Sequence, residues 1–158
     1  MHAVIGIDPD VEKSGYAIVI DGEVDSVHTM KVAELLEELK ETINNNQHDK
    51  LVIVIEAGWL NSSNWHLGAY CNAHRAAKIG ESVGRCHEVG KIIHEWCEHH
   101  AKYHDNVKVL AVKPLPKRWK GKDKKITAEE LQHITGYTQR TNQEGRDACL
   151  LAWVYQNH

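Results

Sequence analysis

The sequence predicts a mixed α/β sheet of five strands, an antiparallel β1-β2-β3 meander followed by αβαβα, with helices on both faces. Three observations predict it. Short apolar runs separated by turn residues open the chain, an unbroken aliphatic run stands in its middle, and the later runs alternate with stretches of helical spacing. The 158 residues fit one domain over residues 1–158, because domains run to about 100–200 residues.

Ala3 to Ile7 is an apolar run stopped by Asp8-Pro9, the pattern of a buried strand ended by proline. Gly15 to Ile20 is a second strand, and Asp21-Gly22 is a hairpin turn signal into a third, Glu23 to Thr29. Leu35, Leu36, Leu39 and Ile43 recur at helical spacing and predict an amphipathic helix over 32–45, ended by three asparagines. Leu51-Val52-Ile53-Val54-Ile55 reads as a central strand buried on both faces.

A polar, tryptophan-bearing loop over 57–66 comes next, then helical spacing over 70–103, compatible with one helix or two. Gly80, Gly84 and Gly90 lie inside that pattern, where each costs about 1 kcal/mol relative to alanine, so close approach to another element is their expected use. Val107 to Val112 is the fifth strand. A short helix opened by Thr127, with Glu129 and Glu130 in its first turn, and a last helix over 143–156 complete the order.

Composition excludes disordered, collagen-like and coiled-coil classes, with 42% apolar and 26% charged residues. No basic n-region with an apolar h-region opens the chain, and the longest aliphatic run is far below the ~18 residues of a membrane span, so a cytoplasmic protein with reduced thiols and no membrane partner is expected. The net charge of −3 conceals an asymmetry. Residues 1–56 carry 12 acids and 4 bases, whereas residues 57–158 carry 10 acids and 15 bases. Seven of those bases lie between Lys113 and Lys125, which points to a polyanionic partner.

Acids stand where core periodicity does not predict them. Asp8 closes the first strand and Glu56 the central one, while Glu144 and Asp147 share a face of the otherwise apolar last helix. If the first and fourth strands are parallel neighbours, Asp8 and Glu56 emerge at one sheet edge, beneath the start of the last helix. Carboxylates so arranged repel by about 4 kcal/mol per close pair at an effective dielectric near 20. They must take up protons or bind a cation, and Mg²⁺, a hard ion with oxygen ligands, fits best. Two such ions would clamp the attacking and leaving oxygens of a phosphodiester. Taken singly, each acid reads equally as a solvated strand end or a helix-dipole partner.

Ile5-Gly6-Ile7-Asp8-Pro9 with Ser14-Gly15-Tyr16-Ala17 closely resembles the opening motif of RuvC-type Holliday junction resolvases. Val54-Ile55-Glu56 resembles their second motif, Ala77-Lys78-Ile79-Gly80 with Gly84 their glycine-bearing helix, and Glu144-Gly145-Arg146-Asp147-Ala148 their C-terminal motif. The resemblance spans nearly the whole chain in order, and its first motif is the most specific. It implies a ribonuclease H-like fold and a homodimeric, Mg²⁺-dependent endonuclease, with Mn²⁺ as a substitute ion. Such enzymes resolve four-way DNA junctions in recombination and repair and leave 5′-phosphate ends. The metal-ligand and catalytic positions it implies are Asp8, Glu56, Glu144 and Asp147. Asp10 departs from the pattern, standing where glycine is usual; Glu144 also departs, lengthening the arm where aspartate is common.

Lys117, Arg118, Trp119, Lys120, Lys122, Lys124 and Lys125 mix bases with an aromatic between a strand and a helix. They read as a phosphate-binding segment, or as a mobile solvated loop. The resemblance favours DNA contact. Trp59, three residues after Glu56, reads either as a base-stacking wedge, worth about 1–3 kcal/mol per base, or as a cap on the core. Trp65 is less informative, and Trp96 and Trp153 read as core. Cys71 with His74 and Cys97 with His100 have i,i+3 spacing but match no standard zinc pattern, so no zinc is expected.

The nearest alternative is a YqgF-like nuclease of the same fold acting on RNA, against which the Asp-Pro opening and Tyr16 weigh. A non-catalytic nucleic-acid-binding relative would have lost a carboxylate, and all four matched positions keep one. An actin-type ATPase needs a second glycine-rich phosphate loop and two lobes, for which this chain is too short.

Overall fold

The computed structural model of the chain describes residues 1–61 and 72–158. Five strands, β1 (His2–Asp8), β2 (Ser14–Ile20), β3 (Glu23–Met30), β4 (Lys50–Glu56) and β5 (Val107–Val112), form one sheet in the order β3-β2-β1-β4-β5. β1 pairs antiparallel with β2 and parallel with β4, and β4 pairs parallel with β5. The four longer helices are α1 (Val32–Asn44), α2 (Ala73–Ala101), α3 (Ala128–Thr135) and α4 (Gln143–Val154). This is the mixed α/β architecture that the strand and helix patterns predict. Among the described residues no helix is long and apolar enough to cross a membrane.

Side chains alternate across a pleated strand, so each strand serves two cores. Ala3, Ile5 and Ile7 of β1 join Leu51, Ile53 and Ile55 of β4 against Leu35, Leu39 and Ile43 of α1 and Ile93 and Cys97 of α2. The intervening Val4, Val52 and Val54 face Leu151 and Ala152 of α4. By the same alternation Gly6 and Asp8 of β1, and Glu56 of β4, belong to the α4 side. Parallel register pairs Ile7 with Ile55, so the next step brings Asp8 beside Glu56.

The helix starts and turns follow local chemistry. The Asp21-Gly22 turn has positive φ at both residues (48° and 86°), as a two-residue hairpin of the primed type requires. Thr127 and Glu130 form a reciprocal capping box at α3, and Gly136 ends that helix with φ 77°. Asn142 caps α4 by accepting the Gly145 N–H at 2.9 Å.

The helical spacing of 70–103, compatible with one helix or two, is a single helix of 29 residues over its described part. Among the described residues a Cβ at Gly80 or Gly84 would meet nothing within 4 Å, so the close approach expected of those glycines is not found there, whereas a Cβ at Gly90 would come within 2.5 Å of the Trp59 ring. Trp65, Cys71 and most of the expected 57–66 loop lie outside the described residues; its first residues include a short 3-10 turn, Gly58–Leu60.

The tightest approach joins α4 to the sheet. A Cβ at Gly6 would lie 2.1 Å from the Ala148 carbonyl oxygen, and one at Gly15 would lie 2.0 Å from the Glu144 carbonyl oxygen. Both obstacles are backbone and cannot rotate aside. Gly6→Ala is therefore expected to cost at least the ~1–3 kcal/mol of core overpacking, read as a lower urea midpoint at unchanged slope, while Gly84→Ala leaves the midpoint unchanged or raises it.

Candidate functional site

Asp8, Glu56 and Asp147 line one small cleft where the C-terminal ends of β1 and β4 meet the first turns of α4. Lys117, Trp119, Lys124 and Lys125, all from the segment between β5 and α3, form its opposite wall. The cleft holds about 110 Å³, less than the ~150 Å³ that accommodates a benzene, so it admits an ion, water or the edge of a phosphate but no base.

Each acid owes its place to a different element. Asp8 ends β1 because Pro9 has no N–H to continue the ladder. Glu56 ends β4 opposite Val112 of β5. Asp147 sits one turn before Leu151, on the sheet-facing side of α4, and its Oδ1 accepts a hydrogen bond from Gln143 Nε2 at 2.8 Å.

Burial pushes the Asp8 carboxyl well above the ordinary carboxylate range; the charges of Glu56 and Asp147 act in the same direction, and the Lys125 ammonium opposes them. Burial also raises Glu56, but its hydrogen bond with Asp8 acts oppositely there. The two carboxyls are coupled at the ends of the paired strands, and burial raises both. Asp147 is raised by burial, against its hydrogen bond from Gln143 and the charges of Lys125 and Arg146.

Glu144 is not brought into the cleft. It lines the neighbouring cavity with Asp10, Glu12, Lys13, Thr29, Lys31 and Asn142, although its charge still reaches Asp147. Glu144 thus stands apart from the other three acids in this structure, and the reason is helical. Residues three apart differ by about 60° around the axis, and the Glu144 backbone rests directly on Gly15. Among the described residues no three His, Cys, Asp or Glu side chains already stand grouped closely enough to hold a metal ion. In the cleft the Lys125 ammonium opposes the charge of the acids, with Lys125 Nζ 3.7 Å from Asp147 Oδ2.

The basic segment is folded against the protein. Trp119 N–H donates to the Lys124 carbonyl at 3.0 Å and Gly121 N–H to the Lys125 carbonyl at 2.9 Å. Asp123 and Lys124 take the left-handed conformation (φ 56° and 59°), which for residues other than glycine costs about 1–3 kcal/mol each. Arg146 Nε and Gln143 Nε2 both donate to the Ile126 carbonyl, at 3.2 and 3.1 Å, tying the segment to α4. Of the predicted nucleic-acid contacts, Lys117, Trp119, Lys124 and Lys125 line the cleft, whereas Arg118, Lys120 and Lys122 are exposed outside it. Arg118 stacks over the Trp119 ring at 5.4 Å.

Trp59 is half-buried, with its ring on Gly90 and beside Pro9 and its centroid 6.4 Å from that of His87. The core packs one side of the ring, and the remainder stays open at the surface. Asp10 builds a turn: its Oδ1 accepts the Glu12 N–H at 2.8 Å, and its own N–H donates to Ser14 Oγ at 3.0 Å. Gln143 and Arg146 were missed by the sequence reading, although Arg146 lies inside the motif Glu144-Gly145-Arg146-Asp147. Cys97 is a core residue, and His100 meets Trp96 edge-on with ring centroids 4.7 Å apart.

No protein-family model matches the chain, and no curated protein is similar to it in sequence. Solved structures are similar in shape. T. thermophilus RuvC in complex with a Holliday junction substrate aligns over 98% of this chain and 92% of its own, with TM-score 0.53 and 16% identity. The fold is that of RuvC-type resolvases. The Fowlpox virus resolvase in complex with substrate Holliday junction DNA aligns over 98% of this chain and 96% of its own, at TM-score 0.51 and 14% identity. In this sheet the paired ends of β1 and β4 carry Asp8 and Glu56, with α4 above them.

The raised carboxyls mean that the folded, metal-free chain retains protons which the unfolded chain releases above the ordinary values of 3.8 for Asp and 4.5 for Glu. Stability from these groups is complete below about pH 4 and is lost as pH rises through their folded values. Asp8→Asn removes part of that loss. In chelator, the variant is expected to melt above wild type at pH 8, by roughly 2–4 °C per kcal/mol recovered, and the difference should shrink towards pH 4 in scanning calorimetry.

Proposed function

We propose that this chain is a divalent-metal-dependent endonuclease that cuts four-way DNA junctions. The observation that carries the reading is the cleft itself, with Asp8, Glu56 and Asp147 facing Lys117, Lys124 and Lys125. Its setting supports that reading, because the same fold is seen in RuvC and the Fowlpox virus resolvase, both solved on Holliday junction DNA.

The donor chemistry fits a hard divalent cation. All three cleft acids offer oxygen, their carboxyls are raised by burial and mutual repulsion, and a cation relieves both penalties. Asp8, Glu56 and Asp147 would hold Mg²⁺, or Mn²⁺ in its place. When bound, such ions supply Lewis acidity at the scissile phosphate and hydroxide from water at neutral pH. Carboxyls raised by burial must ionise to hold a cation, so metal affinity should rise with pH.

Lys117 and Lys124 bring positive charge to the mouth of the same cleft and would take the phosphates flanking the cut. Arg118, Lys120 and Lys122 extend that charge along the exposed loop. Trp119, fixed between the core and Arg118, would set the height of the strand above the acids. Glu144, beside Asp147 but in the next cavity, is assigned a supporting role in metal binding. A four-way junction needs two symmetric cuts, which a homodimer with one cleft per copy would deliver.

The test incubates purified protein with a synthetic four-way junction, a linear duplex and an RNA–DNA hybrid, with Mg²⁺ or chelator. Cleavage of the junction with Mg²⁺ alone is expected, and Asp8→Asn and Asp147→Asn should each lower it at least ~10³-fold while the gel shift on the junction persists. Glu144→Gln should cost only about 10–100-fold, as outer-shell changes do. Lys117→Ala and Lys124→Ala should each reduce the salt slope of junction binding by about 1. Preference for the hybrid would turn the reading to an RNA-directed nuclease, and equal cutting by Asp8→Asn would reject it.

A further inference from the structure

Lys125 differs from the other bases of its segment. Its backbone is held on both sides: its N–H donates to the Lys122 carbonyl at 3.1 Å, its carbonyl accepts from Gly121 at 2.9 Å, and the next carbonyl, of Ile126, is gripped by Gln143 and Arg146 of α4. The left-handed Asp123 and Lys124 turn the chain just before it. This frame delivers its ammonium to 3.7 Å from Asp147, while the side chain remains about one-third exposed (37%). Lys124, next in sequence, lines the same cleft yet is more exposed and makes no ion pair with the acids among the described contacts.

We propose that Lys125 is a resident cation of the cleft, which holds the acids together in the metal-free protein and which a divalent ion displaces on binding. This inference rests on the metal-dependent reading above. The electrostatic pattern supports it, because the charge of Lys125 acts on Asp8, Glu56 and Asp147 alike, whereas that of Lys117 is felt at Glu56. The ammonium stands 3.7 Å from Asp147, in the cleft that a divalent ion would enter. Asp147 cannot serve an ammonium and a metal ion with the same lone pairs, so the two occupants compete. The stem of Lys125 is flexible and partly exposed, so its freed charge has the cleft mouth open to it, beside Lys117 and Lys124, where a phosphate would arrive. Metal and phosphodiester would then each favour the other's binding, as reciprocal linkage requires.

The experiment titrates Mn²⁺ into metal-free protein without DNA, following free Mn²⁺ by electron paramagnetic resonance, for wild type, Lys125→Met, Lys125→Arg and Lys124→Met. Lys125→Met is expected to bind Mn²⁺ about tenfold more tightly than wild type, equivalent to about 1.4 kcal/mol, with Lys125→Arg and Lys124→Met within about twofold of wild type. Thermal melts in the same buffers should show a lower metal-free midpoint and a larger Mn²⁺-induced rise for Lys125→Met. If Lys125→Met folds only with Mn²⁺, that dependence supports the proposal; a variant that Mn²⁺ does not rescue overturns it. Equal or weaker Mn²⁺ binding by Lys125→Met overturns it as well, and so does an equal gain in Lys124→Met, which would mark a general charge effect. Wild type that binds no Mn²⁺ defeats the metal-dependent reading itself, a result distinct from wild-type binding left unchanged by the substitution.

Discussion

The fit of α4 onto the backbones of β1 and β2 is the constraint on which the rest of the structure depends. Helix and sheet meet there without intervening side chains, because Gly6 and Gly15 leave room for the carbonyls of Ala148 and Glu144. Ordinary helix–sheet packing places side chains between the two backbones; this contact removes that layer over two residues. The helix start is thereby lowered onto the strand ends, and Asp147 reaches the depth of Asp8 and Glu56. The same descent rests the Glu144 backbone on β2 and leaves its side chain in the adjoining cavity. One steric fact therefore gathers three acids and separates the fourth.

Electrostatics follows from that placement. Acids held at the end of two buried strands lose water, and burial is the first cause of the raised carboxyl at each of Asp8, Glu56 and Asp147. The fold meets the repulsion with Lys125, which is held through hydrogen bonds that return to α4 at Gln143 and Arg146. Acidic floor and basic wall are thus one assembly, since both hang from the first turns of the same helix. A cleft balanced in this way is suited to exchanging its internal cation for an external one.

Much of the fold was legible in the chain. The β-branched run of β4, the Asp21-Gly22 turn and the amphipathic spacing of α1 are local signals with local causes, and they lead to the observed elements. Strand alternation also put Asp8 and Glu56 at strand ends on a common side once β1 and β4 were taken as parallel neighbours. The glycine-bearing stretch was less legible. Gly80, Gly84 and Gly90 look alike in a spacing pattern, yet among the described residues only Gly90 meets another element, because Trp59 comes to it from the far end of β4.

What the sequence determined by itself was the set of elements, their order and the kinds of residue offered at their ends, since propensity, capping and periodicity act within a few residues. The tertiary structure decided which of those residues meet. It divided Glu144 from Asp147, seated Trp59 on the core, and brought Lys125 out of a basic run into an acidic cleft. Each outcome depends on the distance between surfaces remote in sequence, here the depth to which α4 settles on two glycines, and no local pattern carries that distance.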